Sequence, residues 1–320
     1  MSRILFIGAT QMAHDVLHKC EAIRRVSHWN VGCVAPDEQR RGICDYANLL
    51  DHHTTNPIAL HSWAYIGKDD GDGRYSLRVF ARNVNPQLVI VVGWSRLIPP
   101  EVLAIPPRGT VCFHAAKLPD YRGRAPIPHT ILHDLGYTEM TMFYADAEAD
   151  KGDIIASKGF YVGYKDDAGT LYEKHTKAII ALLDEHLDGL LAGTAPRRKQ
   201  KGEGVWWEKR TPEMGEIDWG NTPVHLITAL TKPYPGAFTY WKGKKFWVWS
   251  ADEIVNSSHG LSFVDGDEID CFDKLSGAIV MNDYNMLLTV SETQDGEVIP
   301  AYELAMKWGM AVGDKLGRDV

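Results

Sequence analysis

The chain has 320 residues, of which 45% are hydrophobic and 24% are charged, so it can bury the core of one large domain or of two ordinary ones. Its formal net charge of −8 and isoelectric point near 5.9 argue against a protein whose affinity depends on neutralising many phosphates, and bulk nucleic-acid binding is not expected. The five cysteines are scattered, with no CxxC pair and no cluster at metal-ligand spacing, which favours reduced thiols and no metal site.

The N-terminal sequence MSRILFIGATQM moves directly into an apolar strand and lacks the basic region, long apolar run and cleavage site of a signal peptide. No stretch of the chain approaches the ~18 consecutive apolar residues that a membrane span requires. We therefore expect a cytoplasmic protein with no membrane segment.

Short apolar runs alternate with helical patterns along the first two-thirds of the chain. The runs RILFIGA (3–9), WNVGCVAP (29–36), PQLVIVVGW (86–94) and TVCFHA (110–115) are typical of buried parallel strands, and EMTMFYAD (139–146) adds another strand. This order predicts an α/β fold, a Rossmann-like and mostly parallel sheet with helices on both faces.

Ligands of such sheets bind just outside the carboxyl ends of the strands. Trp94, His114 and the acidic loop 146–153 follow predicted strands, so we expect them to converge on one site. Gly8 lacks the GxGxxG spacing of a dinucleotide site, which argues against a nicotinamide cofactor.

The segment TAPRRKQKGEG (194–204) is basic, contains glycine and lacks periodicity, so it is interpreted as a solvated connector. The predicted domains are residues 1–200, with the site, and residues 205–320. Alternating apolar runs in 237–254, 276–282 and 286–293 predict hairpins and a mostly β second domain, an OB-like barrel. Trp241, Trp247 and Trp249 are more simply explained by packing than by stacking on a base or sugar.

His114 ends a predicted strand, and the loop 146–153 carries Asp146, Glu148, Asp150 and Asp153. A histidine beside a carboxylate is a general device for raising imidazole basicity and fixing the tautomer. A calcium site is the alternative for four acidic residues in one loop, but the glycine and the distal glutamate of an EF-hand loop are missing.

Arg122 and Arg124 lie in the polar loop that follows His114. A guanidinium there suits a phosphate or a carboxylate, which makes both arginines candidate substrate-binding residues. The alternative for each is an internal brace of the loop.

The stretch HAAKLPDYRGRAPIPHTIL (114–132) with MTMFYADAEADKGDIIAS (140–157) resembles the folate-dependent formyltransferase family, and most of the chain shares the resemblance. The form YRGRAP, the stretch VVGW and the acidic charge resemble the nucleotide-sugar N-formyltransferases more than the methionyl-tRNA formyltransferases. The resemblance implies formyl transfer from N10-formyltetrahydrofolate, as cosubstrate, to the amine of a nucleotide-linked amino sugar. It implies small-molecule partners, with a homodimer as a compatible assembly.

The resemblance also assigns roles to individual residues. His114 would be the general base and Asp150, two residues before Gly152, the carboxylate that stabilises the imidazolium. The folate would contact Trp94, Ser95, Arg96, Leu97 and Ile98, with the backbone of Ala145, Ala147 and Glu148 available to the pterin ring. Asp146 and Asp153 are expected to be solvated or to form turns.

One position departs from the family pattern, because Cys112 stands where the family usually has an asparagine that stabilises the oxyanion. A thiol is a weak donor, and loss of one well-placed oxyanion donor typically lowers the rate by ~10²–10³. Another donor, such as a backbone N–H or protonated His114, is expected to replace it. The alternatives are a methionyl-tRNA formyltransferase, or a folate- or sugar-binding homologue that has lost catalysis through Cys112.

Overall fold

Short apolar runs of the sequence form strands in the computed structural model, which describes residues 3–24, 28–33, 47, 49, 61–62, 77–94, 97–219, 236–253, 269–281, 286–293 and 296–318. The elements of the first 208 residues, in chain order, are β1 Arg3–Gly8, α1 Gln11–Lys19, α2 Glu21–Arg24, β2 His28–Cys33, β3 His61–Ser62, α3 Leu77–Val84, β4 Leu88–Val91, α4 Pro100–Leu103, β5 Thr110–His114, β6 Tyr121–Gly123, α5 Pro126–Leu132, β7 Tyr137–Tyr144, β8 Ile154–Tyr161, α6 Ala168–Ala192 and β9 Val205–Trp207.

The N-terminal sheet has the strand order β3-β2-β1-β4-β5-β7-β8. Strands β3, β2, β1, β4 and β5 pair in parallel, and the apolar runs predicted all of them except β3. All four residues of β4 are buried, because a parallel strand covered on both faces leaves no side for polar residues. Helix α1 starts at Thr10, whose hydroxyl accepts a hydrogen bond from the Ala13 N–H at 3.3 Å.

The last two strands of this sheet, β7 and β8, run as an antiparallel hairpin, so the sheet is mixed. The register of β5 against β7 pairs Val111 with Tyr144 and His114 with Thr141. The loop after β7 therefore begins beside the start of β5, where the Ala145 N–H donates to the Thr110 carbonyl at 2.7 Å. Because β7 is antiparallel to β5, the carboxyl ends of the two strands lie at opposite edges of the sheet. Our expectation that the acidic loop and His114 follow carboxyl ends at the same edge is therefore wrong.

A separate two-stranded parallel sheet joins β6 to β9. The buried Trp207 ring of β9 stacks on Tyr121 of β6, with ring centroids 4.6 Å apart. In the preceding segment 194–204, Lys199 and Lys201 are exposed as expected, but Arg198 bridges to Ile154 through two backbone hydrogen bonds. The interpretation of the whole segment as a solvated connector is therefore too simple.

The C-terminal part is mostly strand, as predicted. Its elements are a 3-10 helix Pro212–Gly215, β10 Ala237–Trp241, β11 Lys244–Glu253, β12 Ile269–Asp273, β13 Ala278–Met281, β14 Met286–Thr293, β15 Val298–Pro300 and α7 Ala301–Trp308. The sheet order is β10-β11-β14-β13-β12, and β15 pairs with β14. Over the residues described, this sheet does not close into the barrel that the hairpins suggested.

The predicted hairpins of this sheet are confirmed. Lys242 and Gly243 form the two-residue turn between β10 and β11, and both have positive φ values (45° and 75°), which suits the twist of a tight hairpin. Trp241 belongs to the hydrophobic core, and its indole N–H donates to Asp314 Oδ2 at 2.9 Å. Packing is thus the observed role of Trp241, whereas Trp247 and Trp249 are half-buried.

The chain divides into two compact units. One comprises 1–130, 136–162 and 172–208, and the other comprises 131–135, 163–171 and 209–320. The predicted division into residues 1–200 and 205–320 stays a proposal about which parts fold independently. None of the helices within the described ranges is both long and apolar enough to cross a bilayer.

Helix α6 carries a buried histidine, His175, which is fully shielded from solvent and meets the Phe160 ring edge-on at 4.8 Å. Among the described residues, neither of its ring nitrogens has a hydrogen-bond partner. Burial, with a smaller contribution from the nearby His114, lowers the pKa of His175 from 6.5 to about 3. A proton that the unfolded chain binds below pH 6.5 is therefore excluded from the folded chain down to about pH 3.

This excluded proton makes the fold acid-sensitive. As the pH falls below 6.5, His175 should reduce the free energy of unfolding by about 1.4 kcal/mol per pH unit, and above pH 6.5 it should have no effect. We expect His175→Leu to remove about 2 kcal/mol of the stability lost between about pH 8 and about pH 5, measured by urea denaturation. His186→Leu, at a more exposed position of the same helix, is the control. Equal pH profiles for wild type and His175→Leu would contradict this account.

Candidate active site

His114 is the last residue of β5 and is 7% exposed. Side chains alternate along a strand, so His114 shares one face of β5 with Cys112. Its Nε2 lies 3.0 Å from the Tyr121 carbonyl oxygen. A carbonyl can only accept, so Nε2 carries the proton and donates to Tyr121, and this leaves the Nδ1 lone pair of the neutral ring free.

Asp150 faces that lone pair. Its Oδ1 lies 3.7 Å from His114 Nδ1, while its Oδ2 accepts a hydrogen bond from the Gly123 N–H at 3.0 Å. The loop that begins beside Val111 thus turns back across the face of β5 that carries His114. The structure brings together the two residues that the sequence analysis paired, and their catalytic roles stay predictions.

The electrostatics of the pair suit proton transfer. Burial lowers the pKa of His114, whereas the charge of Asp150 and the hydrogen bond to Tyr121 raise it in part. The resting imidazole is therefore neutral near pH 7 and can accept a proton. Once the imidazolium forms, the adjacent carboxylate stabilises it.

Cys112 is a free, partly buried cysteine whose side chain packs against Leu118, Phe143 and Ile154. Burial first, and the charge of Asp150 second, raise its pKa to about 12. The side chain is a protonated thiol at neutral pH, and a thiol is a poor nucleophile. Cys112 lies two residues before His114 on β5, and its predicted role in the site stays a prediction without a covalent step.

Two glycines allow the backbone segments of the site to approach one another. Gly123 has a φ of 103°, and a Cβ there would lie 2.1 Å from the Trp207 carbonyl oxygen. A Cβ on Gly152 would lie 1.6 Å from the Tyr144 carbonyl oxygen. The glycines of the motifs YRG and DKG are therefore required by close backbone packing.

The two arginines of the loop differ sharply. Arg122 is 4% exposed and its guanidinium donates to the carbonyls of Asp150, Gly202 and Glu203. This is the internal brace that the sequence analysis named as the alternative to substrate binding. Arg124 is exposed, with its backbone N–H donating to Trp207 at 2.9 Å. Arg124 is thus the arginine of the pair whose charge faces solvent.

The predicted folate residues after β4 are partly described. Ser95 and Arg96 lie outside the described residues. Trp94 packs against a cluster of buried hydrophobic residues mainly from β1, α3, β4 and α4. Its buried indole N–H has no hydrogen-bond partner in the described part of the chain. Leu97 is 62% exposed and Ile98 is buried.

The acidic loop is engaged internally at several of the predicted pterin contacts. The Ala145 N–H donates to Thr110, and the Ala147 N–H donates to Asp146 Oδ1 at 2.6 Å. Asp146 is exposed, in line with the solvated position expected of it. The Glu148 carboxylate pairs with Lys151 at 2.6 Å. At two of the three residues whose backbone was predicted to be available to a pterin ring, the N–H group is therefore already used.

Sequence reasoning missed Gln200. Its side-chain amide contacts Arg122 and the backbone of residues 150 and 152, although the sequence offers only a polar residue in a basic stretch. A local pattern carries no signal for a contact across 50 residues. Across the described ranges, no three histidine, cysteine, aspartate or glutamate side chains are arranged to hold a metal ion.

Two family models match the chain, formyl transferase over residues 70–186 and formyl transferase, C-terminal domain, over residues 209–305. A methionyl-tRNA formyltransferase of Halothermothrix orenii is 29% identical over 275 residues, which is 83% of this chain and 87% of that protein. A second, from Caldanaerobacter subterraneus, is 33% identical over 177 residues, 54% of this chain and 57% of that protein.

Solved structures share the fold at lower identity. HypX from Aquifex aeolicus, in complex with tetrahydrofolic acid, matches 98% of this chain with a TM-score of 0.68 and 19% identity, and this chain spans about half (48%) of HypX. WlaRD, a sugar 3N-formyl transferase solved with dTDP and 5-N-formyl-THF, matches 93% of this chain and 99% of its own, with a TM-score of 0.55 and 13% identity. The two family models together cover more than half of the sequence, on both sides of the predicted boundary, and the chain belongs to the formyl transferase family.

Proposed function

We propose that the protein transfers the formyl group of N10-formyltetrahydrofolate to the primary amine of a nucleotide-linked amino sugar. The observation that carries the proposal is the free Nδ1 lone pair of His114, held by the Tyr121 carbonyl on one side of the ring and faced by Asp150 at 3.7 Å on the other. Family membership supports folate-dependent formyl transfer, whereas the acceptor is the proposal's own addition.

The chemistry requires a neutral amine, because an ammonium has no lone pair with which to attack a carbonyl carbon. The amine nitrogen forms a bond to the formyl carbon, and the bond from that carbon to folate N10 breaks. His114 Nδ1 takes the proton that the amine loses and returns it to the departing N10, so the products are the formamide and tetrahydrofolate. Asp150 stabilises the imidazolium between these two transfers.

The residues after β4 are compatible with a pterin. Trp94 has an aromatic ring, and its own indole N–H is buried without a hydrogen-bond partner among the described residues. Leu97 adds exposed apolar surface. A pterin ring offers a flat surface for such groups and acceptors for an N–H. The carbonyls of the acidic loop would receive its N–H groups.

The choice of acceptor rests on charge. The net charge of −8 opposes tight binding of a long polyanion, while the exposed guanidinium of Arg124 suits a diphosphate beside the site. WlaRD, a sugar 3N-formyl transferase that shares this fold and was solved in the presence of dTDP, supports a nucleotide-sugar acceptor. Methionyl-tRNA is the second candidate, because a methionyl-tRNA formyltransferase aligns with 83% of the chain. The cytoplasmic location and the homodimer remain predictions.

An acceptor panel tests the proposal. We expect formyl transfer from N10-formyltetrahydrofolate to an amino sugar on dTDP, UDP or GDP, measured as formamide by mass spectrometry and as tetrahydrofolate released. His114→Gln should lower kcat by at least about 10²-fold because the general base is lost. Formylation of methionyl-tRNA alone would establish the second candidate. Binding of both substrates without turnover would identify a homologue that has lost catalysis.

The contribution of Cys112 can be measured by Cys112→Asn. We expect kcat to change by less than about threefold, because a buried thiol is a weak donor and another group already stabilises the oxyanion. An increase of about 10²-fold would show instead that this position limits the reaction. Cys20→Ala, at a buried cysteine in another part of the N-terminal unit, is the matched control.

A further inference from the structure

We propose that Gln200 and Arg122 are positioning residues that hold the Asp150 peptide in the one conformation that directs its carboxylate at His114. The kinetic part of this proposal rests on the proposed function, whereas the structural part does not. Neither residue has a place in the proton transfer itself, because each acts on the backbone of Asp150 and not on the reacting groups.

The backbone of Asp150 needs support from its surroundings. Asp150 has a φ of 55°, in the left-handed region that residues with a Cβ seldom occupy, although aspartate and asparagine tolerate it better than most. Such a conformation persists only when neighbouring groups fix it. The Gln200 amide does so, since its Nε2 donates to the Asp150 carbonyl and to the Gly152 carbonyl, both at 2.8 Å. The two bonds clamp the loop on either side of Lys151.

Arg122 fixes the orientation of that amide. The Gln200 Oε1 accepts from Arg122 Nη2 at 2.8 Å and from Arg122 Nε at 3.3 Å. A flipped amide would place N–H groups against the guanidinium and an oxygen against two carbonyls, so the flip is disfavoured. Arg122 itself is held by the carbonyls of Gly202 and Glu203, which follow Gln200 in the chain.

Two adjacent residues of β6, Arg122 and Gly123, connect this support of the loop to the Asp150 carboxylate. Arg122 donates through its side chain to the Asp150 carbonyl, and Gly123 donates through its backbone to Asp150 Oδ2. With the carbonyl and one carboxylate oxygen both fixed, Oδ1 is left facing His114 Nδ1. The segment that links the predicted domains therefore helps to set the distance between the two catalytic candidates.

The variant Gln200→Leu removes the two N–H groups that donate to the Asp150 and Gly152 carbonyls, while the side chain keeps a similar volume. Gln200→Glu is the second variant, because its carboxylate keeps an ionic contact with Arg122 but cannot donate to the two carbonyls. Lys199→Ala and Lys201→Ala, at exposed positions on either side, are the controls, and circular dichroism melting checks the fold of every variant. Asp150→Asn serves as the reference that lacks the carboxylate.

The activity-independent measurement is the titration of the His114 ring by nitrogen-15 NMR. The titratable groups whose charges act on this ring are Asp150 and His175 on α6. Cys112 on β5 interacts electrostatically with Asp150, and Arg122 on β6 donates to the Asp150 carbonyl. Loss of a nearby opposite charge lowers a histidine pKa by about 1–3 units, so Asp150→Asn should lower it. We expect Gln200→Leu to lower it in the same direction and both lysine controls to leave it unchanged. Gln200→Glu adds a negative charge of its own, so it is judged by its loss of kcat and not by this titration.

The kinetic measurement is a double-mutant cycle. We expect Gln200→Leu to lower kcat about tenfold with a change of less than about threefold in the KM of the formyl donor. In the Asp150→Asn background it should lower kcat by less than about twofold, because the carboxylate it positions is already gone. An unchanged His114 titration, or an equal loss in both backgrounds, would overturn the proposal. Absence of formyl transfer with the expected NMR shift would overturn the proposed function alone.

Discussion

In the proposed reaction the buried imidazole of His114 becomes charged, and it then needs a fixed counter-charge beside it. Removal of His114 from water favours the neutral ring, which is the form that can accept a proton. The same burial makes the imidazolium costly to form. Asp150 offsets that cost only while its carboxylate stays within a few ångströms of Nδ1, so the accuracy of one loop conformation decides whether the pair can work.

The chain topology makes that accuracy difficult to achieve. Because β7 runs antiparallel to β5, the acidic loop leaves the sheet at the end of β5 opposite to His114. It must return across the face of the strand to place Asp150. A glycine at 152, a left-handed backbone at Asp150 and an amide from a distant segment allow and hold that return. These features together set the distance between Asp150 Oδ1 and His114 Nδ1.

Much of the fold could be predicted from local pattern. Buried parallel strands read as apolar runs ended by glycine, and the turn Lys242-Gly243 between alternating strands indicated a hairpin, because both signals depend on neighbouring residues. Strand β7 is nearly as apolar and as buried as the parallel strands, so its antiparallel direction was not predicted.

The site shows the same division between local and distant information. His114 and Asp150 were paired through a resemblance, since 35 intervening residues carry no local indication of their contact. The burial of Arg122 and the role of Gln200 depend on acceptors that come from distant segments of the chain. Residue type indicated which groups can donate, and only the fold shows which carbonyls they meet.

The thiol of Cys112 completes the charge balance of the site. A thiolate beside Asp150 would place two negative charges against one ring, and their repulsion together with burial keeps the thiol protonated. Cys112 therefore adds no second negative charge beside the carboxylate that faces His114. In the proposed reaction, the imidazolium keeps one N–H on the Tyr121 carbonyl, and the other, on Nδ1 facing Asp150, holds the proton that passes to the departing nitrogen. In the proposed reaction, a neutral side chain at position 112 leaves Asp150 as the group that balances the charge of His114 while the ring accepts and then returns a proton.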